Sequence, residues 1–493
     1  MHAASAQFLS EQSPGQSLRN LLKQIFFNGK NTTEKNPCKI KLPYYNLFMG
    51  FFTKTFRLLI FMFMLTSVCG CFCKKNTIEL YLSSSDKAES FKKLAEKFTA
   101  ENKGKLEVNI IFTNDEPRTF LHSRNERKQL PDIIAIDGNS TFTKLVEKEC
   151  LHCFSGSRIL ENIDSNYLKQ LLRISGSKAD AVYGVPYAAN VSGIICNAEV
   201  FEKYSVPFPN TWTELIDACK VFKANGIAPF EMTFGENDDW TIKPAWNNLA
   251  SILTDDDFIS RRYKRETTFF KECNEVLEKY SMILDYTQNE DIFSTSYNEG
   301  CRALARGNAA MLINGNWTVP QIRKFNPEIK LNTIPFPASD DIEKNCVNSG
   351  LDVILAVSKR SKNKKTALKF IEFLLRPENS QFYINKQYSF SAVKGIEQRN
   401  ADSKLVMNLI KEGKIADYPD HYYPDNFDLI TLLMDFAHNK QKKIPNKQNI
   451  SVTLLNFDRS FDSIITTRTT VIEKTASIAR KPFYWKDSKI AID

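Results

Sequence analysis

The stretch Met49 to Cys73, MGFFTKTFRLLIFMFMLTSVCGCFC, constrains this chain more than any other. Lys54 and Arg57 precede an apolar run from Leu58 to Leu65, and Val68-Cys69-Gly70-Cys71 closes it. A basic start, a short apolar stretch and a small residue before a cut are the three parts of a secretory signal. A transmembrane helix needs ~20 apolar residues to cross ~30 Å of hydrocarbon, and this run is too short for that.

The end of the stretch resembles a lipobox: a branched apolar residue, a loosely constrained one, a small one, then Cys. Cys71 is the residue it marks for lipidation, because Cys69 follows Val68 and Cys73 follows Phe72 rather than a small residue. Acyl chains there would hold the protein at a membrane surface. The expected divisions are a signal peptide over 49–70 and a lipid-anchor linker over 71–76. Residues 1–48 have no sustained period and are expected not to fold, either as sequence upstream of a start at Met49 or as a long n-region.

Without residues 1–70 the chain has 423 residues, which suits two or three lobes. The formal charge of +9 comes largely from the leader; beyond residue 70 there are 58 Lys/Arg against 55 Asp/Glu. So small an excess makes no case for nucleic acid.

Cysteine is ambiguous. Eight lie past Cys71, and Cys150-Leu-His-Cys153 has a two-residue spacer. A zinc site needs a second ligand pair, and none is evident; a redox pair would need a thioredoxin-like setting. Most of the others sit in apolar periodic segments, where Cys is a small hydrophobe. No disulfide, metal or cofactor is expected. Enzyme motifs are missing too: there is no HExxH, GxSxG or Gly-rich phosphate loop.

Alternation in Ile78, Leu80 and Leu82 predicts a strand. Asp86 and Glu89 then resemble a capping box, opening a helix with Phe91, Leu94, Ala95 and Phe98 on one face. Leu106–Phe112 predicts a second strand, and the unbroken run Asp132–Ile136 a buried third. Strand-helix-strand-helix-strand indicates an α/β architecture with a parallel sheet. Ligands of such sheets sit beyond the carboxyl ends of strands, here the polar loops Ser83–Asp86 and Asp137–Ser140.

Further on, Val182–Tyr187 leads through Ala188–Gly193 to a strand at Ile194–Cys196. Thr211-Trp-Thr-Glu214 predicts a capped helix with Leu215, Ile216, Cys219 and Phe222 inward. An apolar helix starts at Pro244. A strand at Ala310–Ile313 precedes what reads as a tight Asn314-Gly315 turn carrying Trp317.

Five segments now share one pattern: YGVPYAANVSGIICNAEVFEKYSVPFPNTWTEL (183–215), NGIAPFEMTFGENDDW (225–240), ALARGNAAMLINGNW (303–317), FNPEIKLNTIPFPASDD (325–341) and SKNKKTALKFIEFLLRPENSQFY (361–383). In that order they resemble the family-1 extracellular solute-binding proteins of bacterial ABC importers, the group that includes maltose-binding protein and many sugar-binding lipoproteins. The chain departs from that pattern where an aromatic often follows the first strand, and where Ser192 replaces a frequent Tyr. The resemblance implies a type II periplasmic-binding fold, with two lobes and a ligand cleft between them. Crossovers are expected near Ala188–Asn190, Ser349–Leu351 and Ala392–Lys394. Lobe 1 is then 77–188 with 351–393, and lobe 2 is 189–350 with 394–493.

The function so implied is binding of a sugar or oligosaccharide, closure by hinge motion and delivery to permease subunits. The protein would be a monomer on the periplasmic or extracellular face of the cell envelope. The alternative is another small polar solute, such as a glycerol phosphoester, or a ligand-sensing surface lipoprotein. Sugar pockets combine flat apolar faces with few, well-placed polar groups. The residues expected to serve are Ser84, Ser85, Asp137, Asn139, Tyr187, Asn190, Trp240, Trp317 and Asp352. Trp317 is expected to stack on sugar and to project past its turn. Trp240 reads equally as platform or core. Asp137, Asn139 and Asp352 have helix capping or turn geometry as their other reading, and for Asp137 the two are equal. Trp212 and Trp246 are expected in the core.

Overall fold

The structure is a computed structural model that describes residues 76–113, 115–176, 181–288, 291–424 and 426–476. Residues 1–48, the signal segment, Cys71 and Cys73 lie outside them. The described residues belong to one compact unit, Lys74–Asp493.

Ten strands occur among the described residues: β1 (Asn76–Leu82), β2 (Leu106–Ile111), β3 (Ile133–Ile136), β4 (Val185–Asn197), β5 (Ala228–Phe230), β6 (Ala309–Gly315), β7 (Leu331–Ile334), β8 (Val347–Val357), β9 (Phe390–Ser391) and β10 (Ile415–Ala416). The sheet runs β2-β1-β3-β8-β4-β6-β5, with β10 on β8 and β7 and β9 on β4. β1 is parallel to both β2 and β3, as the strand-helix alternation requires. β8 is antiparallel to β3 and to β4, so the whole sheet is mixed.

Two large hydrophobic cores share this sheet. The first gathers β1, β3, the front of β4 as far as Val191, and β8. The second begins at Ile194 on the same strand and includes Trp246, Phe222, Tyr280, Phe269 and Phe457. β4 and β8 are therefore single long strands that pass between the cores. The expectation of a separate short strand at 194–196 gives way to one thirteen-residue strand.

Burial outweighs local signals at several places. The helix Ala88–Glu101 has no side-chain cap, because Asp86 lies in a preceding 3-10 turn, Ser85–Lys87, rather than at the helix start. A missing cap costs ~1 kcal/mol. Burying Phe91, Leu94 and Phe98 on its inner face contributes ~1.5–3 kcal/mol each. Thr211 does cap Trp212–Ala224, accepting from Glu214 N at 3.2 Å, but Glu214 accepts from Asn210 N at 2.7 Å instead of closing the box. The reciprocal box forms at Ser296 and Glu299, ahead of the helix Tyr297–Arg306.

Residues 394–416, expected in the second lobe, bridge the two sides: Asp402 is 2.6 Å from Arg323 of the helix Val319–Phe325, while their apolar side chains pack on the first core. Val406 is buried there, Met407, Leu409, Ile410 and Ile415 lie against it, and β10 pairs with β8. The chain joins the second core only at Tyr423. Two helices complete that core, Leu429–Gln441 and Asn446–Ala476.

Candidate functional site

Side chains alternate across a strand, so Asn348, Gly350 and Asp352 share one face of β8. Asn190 and Ser192 of β4 stand opposite Gly350 and Asn348. This stripe lies where the strands pass between the cores. The other face carries Ser349, whose Oγ is 3.2 Å from the Tyr167 hydroxyl and whose carbonyl accepts from Gln170 Nε2 at 2.8 Å.

The first-core end of the stripe is an ion triad. Lys87 Nζ lies 2.8 Å from Asp137 Oδ1 and 2.9 Å from Asp352 Oδ1, and it donates to the Asp352 carbonyl at 2.9 Å. The lysine side chain is 7% exposed, against 39% for Asp137 and 18% for Asp352. Burial alone would lower the Lys87 pKa, but Asp137 and Asp352 outweigh it and hold the ammonium well above its usual value. Asp352 moves the other way from a free carboxylate: burial raises its pKa and the neighbouring Asp137 adds to that, against the pull of Lys87.

The second-core end carries aromatic rings. Trp240 and Tyr297 are 5.3 Å apart and tilted, and Tyr297 N donates to Asp238 Oδ2 at 2.7 Å. Trp317 is half-buried. The expected Asn-Gly turn is not formed, since Asn314 and Gly315 stay in β6 and residues 316–318 make a 3-10 turn. Gly315 is needed there because a Cβ would overlap the Trp317 ring. Asn316 fixes the base of that indole: its Oδ1 accepts from Val191 N at 2.6 Å and its Nδ2 donates to Tyr388 O at 2.9 Å.

A further polar group sits against the stripe. Lys243 Nζ is 3.1 Å from Asp420 Oδ2, and Asn247 Nδ2 donates to Asp420 Oδ1 at 2.9 Å. Asp420 is the main cause of a raised Lys243 pKa, and Asp137 adds to it, so charges on the two sides sense one another. The rings of Tyr418 and His421 close over Gly350, where a Cβ would meet them at 2.6 and 2.9 Å.

The structure therefore brings Asp137, Asp352 and Asn190 to the stripe. It gives Asn139 a capping role, its Oδ1 accepting from Thr141 N at 2.9 Å. Ser84 Oγ donates to the Asp86 carboxylate, and Ser85 is exposed. Tyr187 is placed in the first core: it is 1% exposed and its ring is 5.0 Å from Tyr383 and 6.2 Å from Phe91. Trp212 and Trp246 are buried. Sequence reasoning misses Lys87, Lys243, Asn247, Asp420 and His421. No local signal marks Lys87, whose partners lie 50 and 265 residues away.

Among the described residues no group of His, Cys, Asp or Glu could hold a metal ion, and no helix is long and apolar enough to cross a membrane. The described cysteines are free; Cys150 Sγ donates to Leu145 O at 3.2 Å, and burial pushes that thiol up to about 11.

The profile of the bacterial extracellular solute-binding protein family matches residues 83–381. A multiple sugar-binding protein from Streptococcus mutans is 26% identical over 399 residues, 77% of this chain and 92% of its own. The melibiose/raffinose/stachyose-binding protein MelE of Bacillus subtilis is 23% identical over 318 residues, 62% of this chain and 72% of its own. Among solved structures, RafE in complex with raffinose superposes with a TM-score of 0.64 at 21% identity, covering 78% of this chain and 99% of that one. A binding protein from Bacillus subtilis in an open conformation gives 0.67 at 20% identity, covering 80% and 99%. The fold is thus the two-lobed, type II periplasmic-binding architecture. The family profile spans most of the chain's described residues, and the chain belongs to the family of bacterial extracellular solute-binding proteins.

Proposed function

We propose that this protein is the lipid-anchored receptor of an ABC importer, held by an acylated Cys71. It binds a sugar or oligosaccharide between its lobes and presents the closed form to membrane permeases. The observation that carries the reading is the alignment with the multiple sugar-binding protein, which runs through 92% of that relative. Half-buried Trp317 and Trp240 on one side, with Asp137, Asp352 and Asn190 on the other, supply the flat apolar faces and hydroxyl acceptors that a saccharide needs. Ser84 and Ser85 lie at the rim of the same loop as Lys87. Ligand shifts the lobes toward closure only through contacts it makes with both. The crossovers near 188–192, 348–351 and 417–423 are the hinge of that motion.

A thermal-shift panel tests this. Raffinose, stachyose, melibiose and maltotriose are each titrated against the unliganded protein. A ligand bound only by the folded state stabilises by about 2.7 kcal/mol at a hundredfold excess over its Kd. At least one saccharide is expected to raise the midpoint in a concentration-dependent way. A flat response to every saccharide, with a shift from a glycerol phosphoester, would replace this reading with that one.

A further inference from the structure

We propose that the Lys87–Asp137–Asp352 floor makes the cleft selective by charge: it accepts saccharides that are neutral or carry an amine and turns away those bearing a carboxylate or phosphate. The inference rests on the saccharide reading above and adds to it the class of saccharide.

Donors and acceptors on the floor can be counted. An ammonium has three N–H groups and no acceptor. Those of Lys87 face Asp137 Oδ1, Asp352 Oδ1 and the Asp352 carbonyl, and the side chain is 7% exposed. The lysine thus has no donor left for a ligand. The carboxylates are the more exposed partners, and their Oδ2 atoms take no part in those contacts. They can only accept.

An independent observation points the same way. Further along the same strand face, Asn348 is fully buried and donates its amide N–H to Ser251 Oγ at 2.6 Å, while its Oδ1 is buried with no partner. Asn190 Oδ1, on the strand opposite, is likewise buried without one. A buried acceptor left unpaired is destabilising, and these two oxygens add acceptors rather than donors to this part of the strand pair. Hydroxyl and ammonium groups bring donors; carboxylate and phosphate bring only more acceptors.

Charge agrees with the count. Asp137, Asp352, Asp417 and Asp420 set four carboxylates against the ammoniums of Lys87 and Lys243 and the imidazole of His421, with Lys243 paired to Asp420 and His421 3.5 Å from Asp417. Like charges brought together in a partly desolvated site repel more strongly than in water. Lys87 is the positioning residue here: it holds both carboxylates in place without touching the ligand.

The test uses raffinose and two derivatives changed at one atom, C6 of the galactosyl unit, as the amine and as the carboxylate. Calorimetric titration of the unmodified protein should give the amine an affinity at least equal to raffinose and the carboxylate one at least ~10-fold weaker, about 1.4 kcal/mol. In Asp137→Asn the gap between carboxylate and raffinose should shrink several-fold. A carboxylate derivative bound as tightly as raffinose would overturn the charge assignment and leave the saccharide reading standing. If none of the three binds and no neutral saccharide shifts the midpoint, the saccharide reading itself fails. An unchanged gap in a folded Asp137→Asn protein would remove Asp137 from the floor.

Discussion

On the first-core side of the cleft, charge is buried: Lys87 is 7% exposed between two carboxylates. On the second-core side, aromatic rings are left half-exposed: Trp240 lies 5.3 Å from Tyr297, and Trp317 rests on Gly315. Each side inverts the usual placement, in which charge faces water and large rings fill the core. Both departures suit the proposed ligand, which has polar edges and apolar faces. The first side is costly unless fully paired, since a buried charge without its partner destabilises strongly. The second side costs less, because an exposed ring forfeits only its own burial.

That contrast can be broken most forcefully at Lys87. Lys87→Met leaves Asp137 and Asp352 facing each other, and urea unfolding is expected to show a loss of ~3–5 kcal/mol at pH 7. The loss should shrink toward pH 4, where one carboxylate takes up a proton. A loss under ~1 kcal/mol would mean that the triad is not integral to the fold.

Two tryptophans separate core from cleft. Trp246 is fully buried and donates to the Tyr423 hydroxyl at 3.0 Å, so Trp246→Ala should cost ~3–5 kcal/mol of stability. Trp317→Ala should instead weaken saccharide binding by at least ~2 kcal/mol, about 30-fold, with little change in unfolding. If the two variants swapped these effects, the aromatic side would be core and the site would lie elsewhere.

Away from the cleft, Thr211→Ala removes the cap on Trp212–Ala224 and should cost ~1 kcal/mol in the same unfolding assay. The smallest effect concerns His421, whose Nδ1 is 3.5 Å from Asp417 Oδ1. Burial would lower its pKa, but Asp417 and Asp420 outweigh burial and raise it. A raised folded value adds stability that is complete below the unfolded pKa of ~6.5 and is lost as pH rises through the folded one. Unfolding midpoints should therefore decline from pH 6 toward pH 8, and less so in His421→Gln.

Much of the fold is legible in residue patterns. Alternation in Ile78, Leu80 and Leu82 and the run Ile133–Ile136 mark β1 and β3, because a buried strand needs only its own side chains to show it. The joints are harder. Residues 188–193 are small and polar, so the thirteen-residue strand β4 reads as separate pieces; its pairing with β8 is what holds it together. The sequence puts the return to the second core at 394 rather than Tyr423, because Val406 and Ile415 look alike whichever core they join.

At the site, Asp137 and Trp317 stand out as polar and aromatic residues just past strand ends, and Asp352 as an acid within an apolar strand. Lys87 does not, because a lysine at a helix start reads as solvated, and only its partners, 50 and 265 residues away, show otherwise. Lys243 and Asp420, 177 residues apart, are out of reach for the same reason.

In the proposed receptor one saccharide touches both sides of this cleft. Calorimetric titration of raffinose into the unmodified protein, Asp137→Asn and Trp317→Ala tests it most directly. Removing a charged acceptor is worth ~1.5–3 kcal/mol and removing a stacked ring at least ~2. Each variant is therefore predicted to lose ~10-fold or more in affinity. Without ligand, Trp317→Ala should unfold like the unmodified protein, whereas Asp137→Asn, which takes one carboxylate from the buried Lys87 and leaves Asp352, should lose some stability and still fold. Full affinity in either folded variant would contradict the claim, because a ligand held by one side alone has no means of drawing the lobes together.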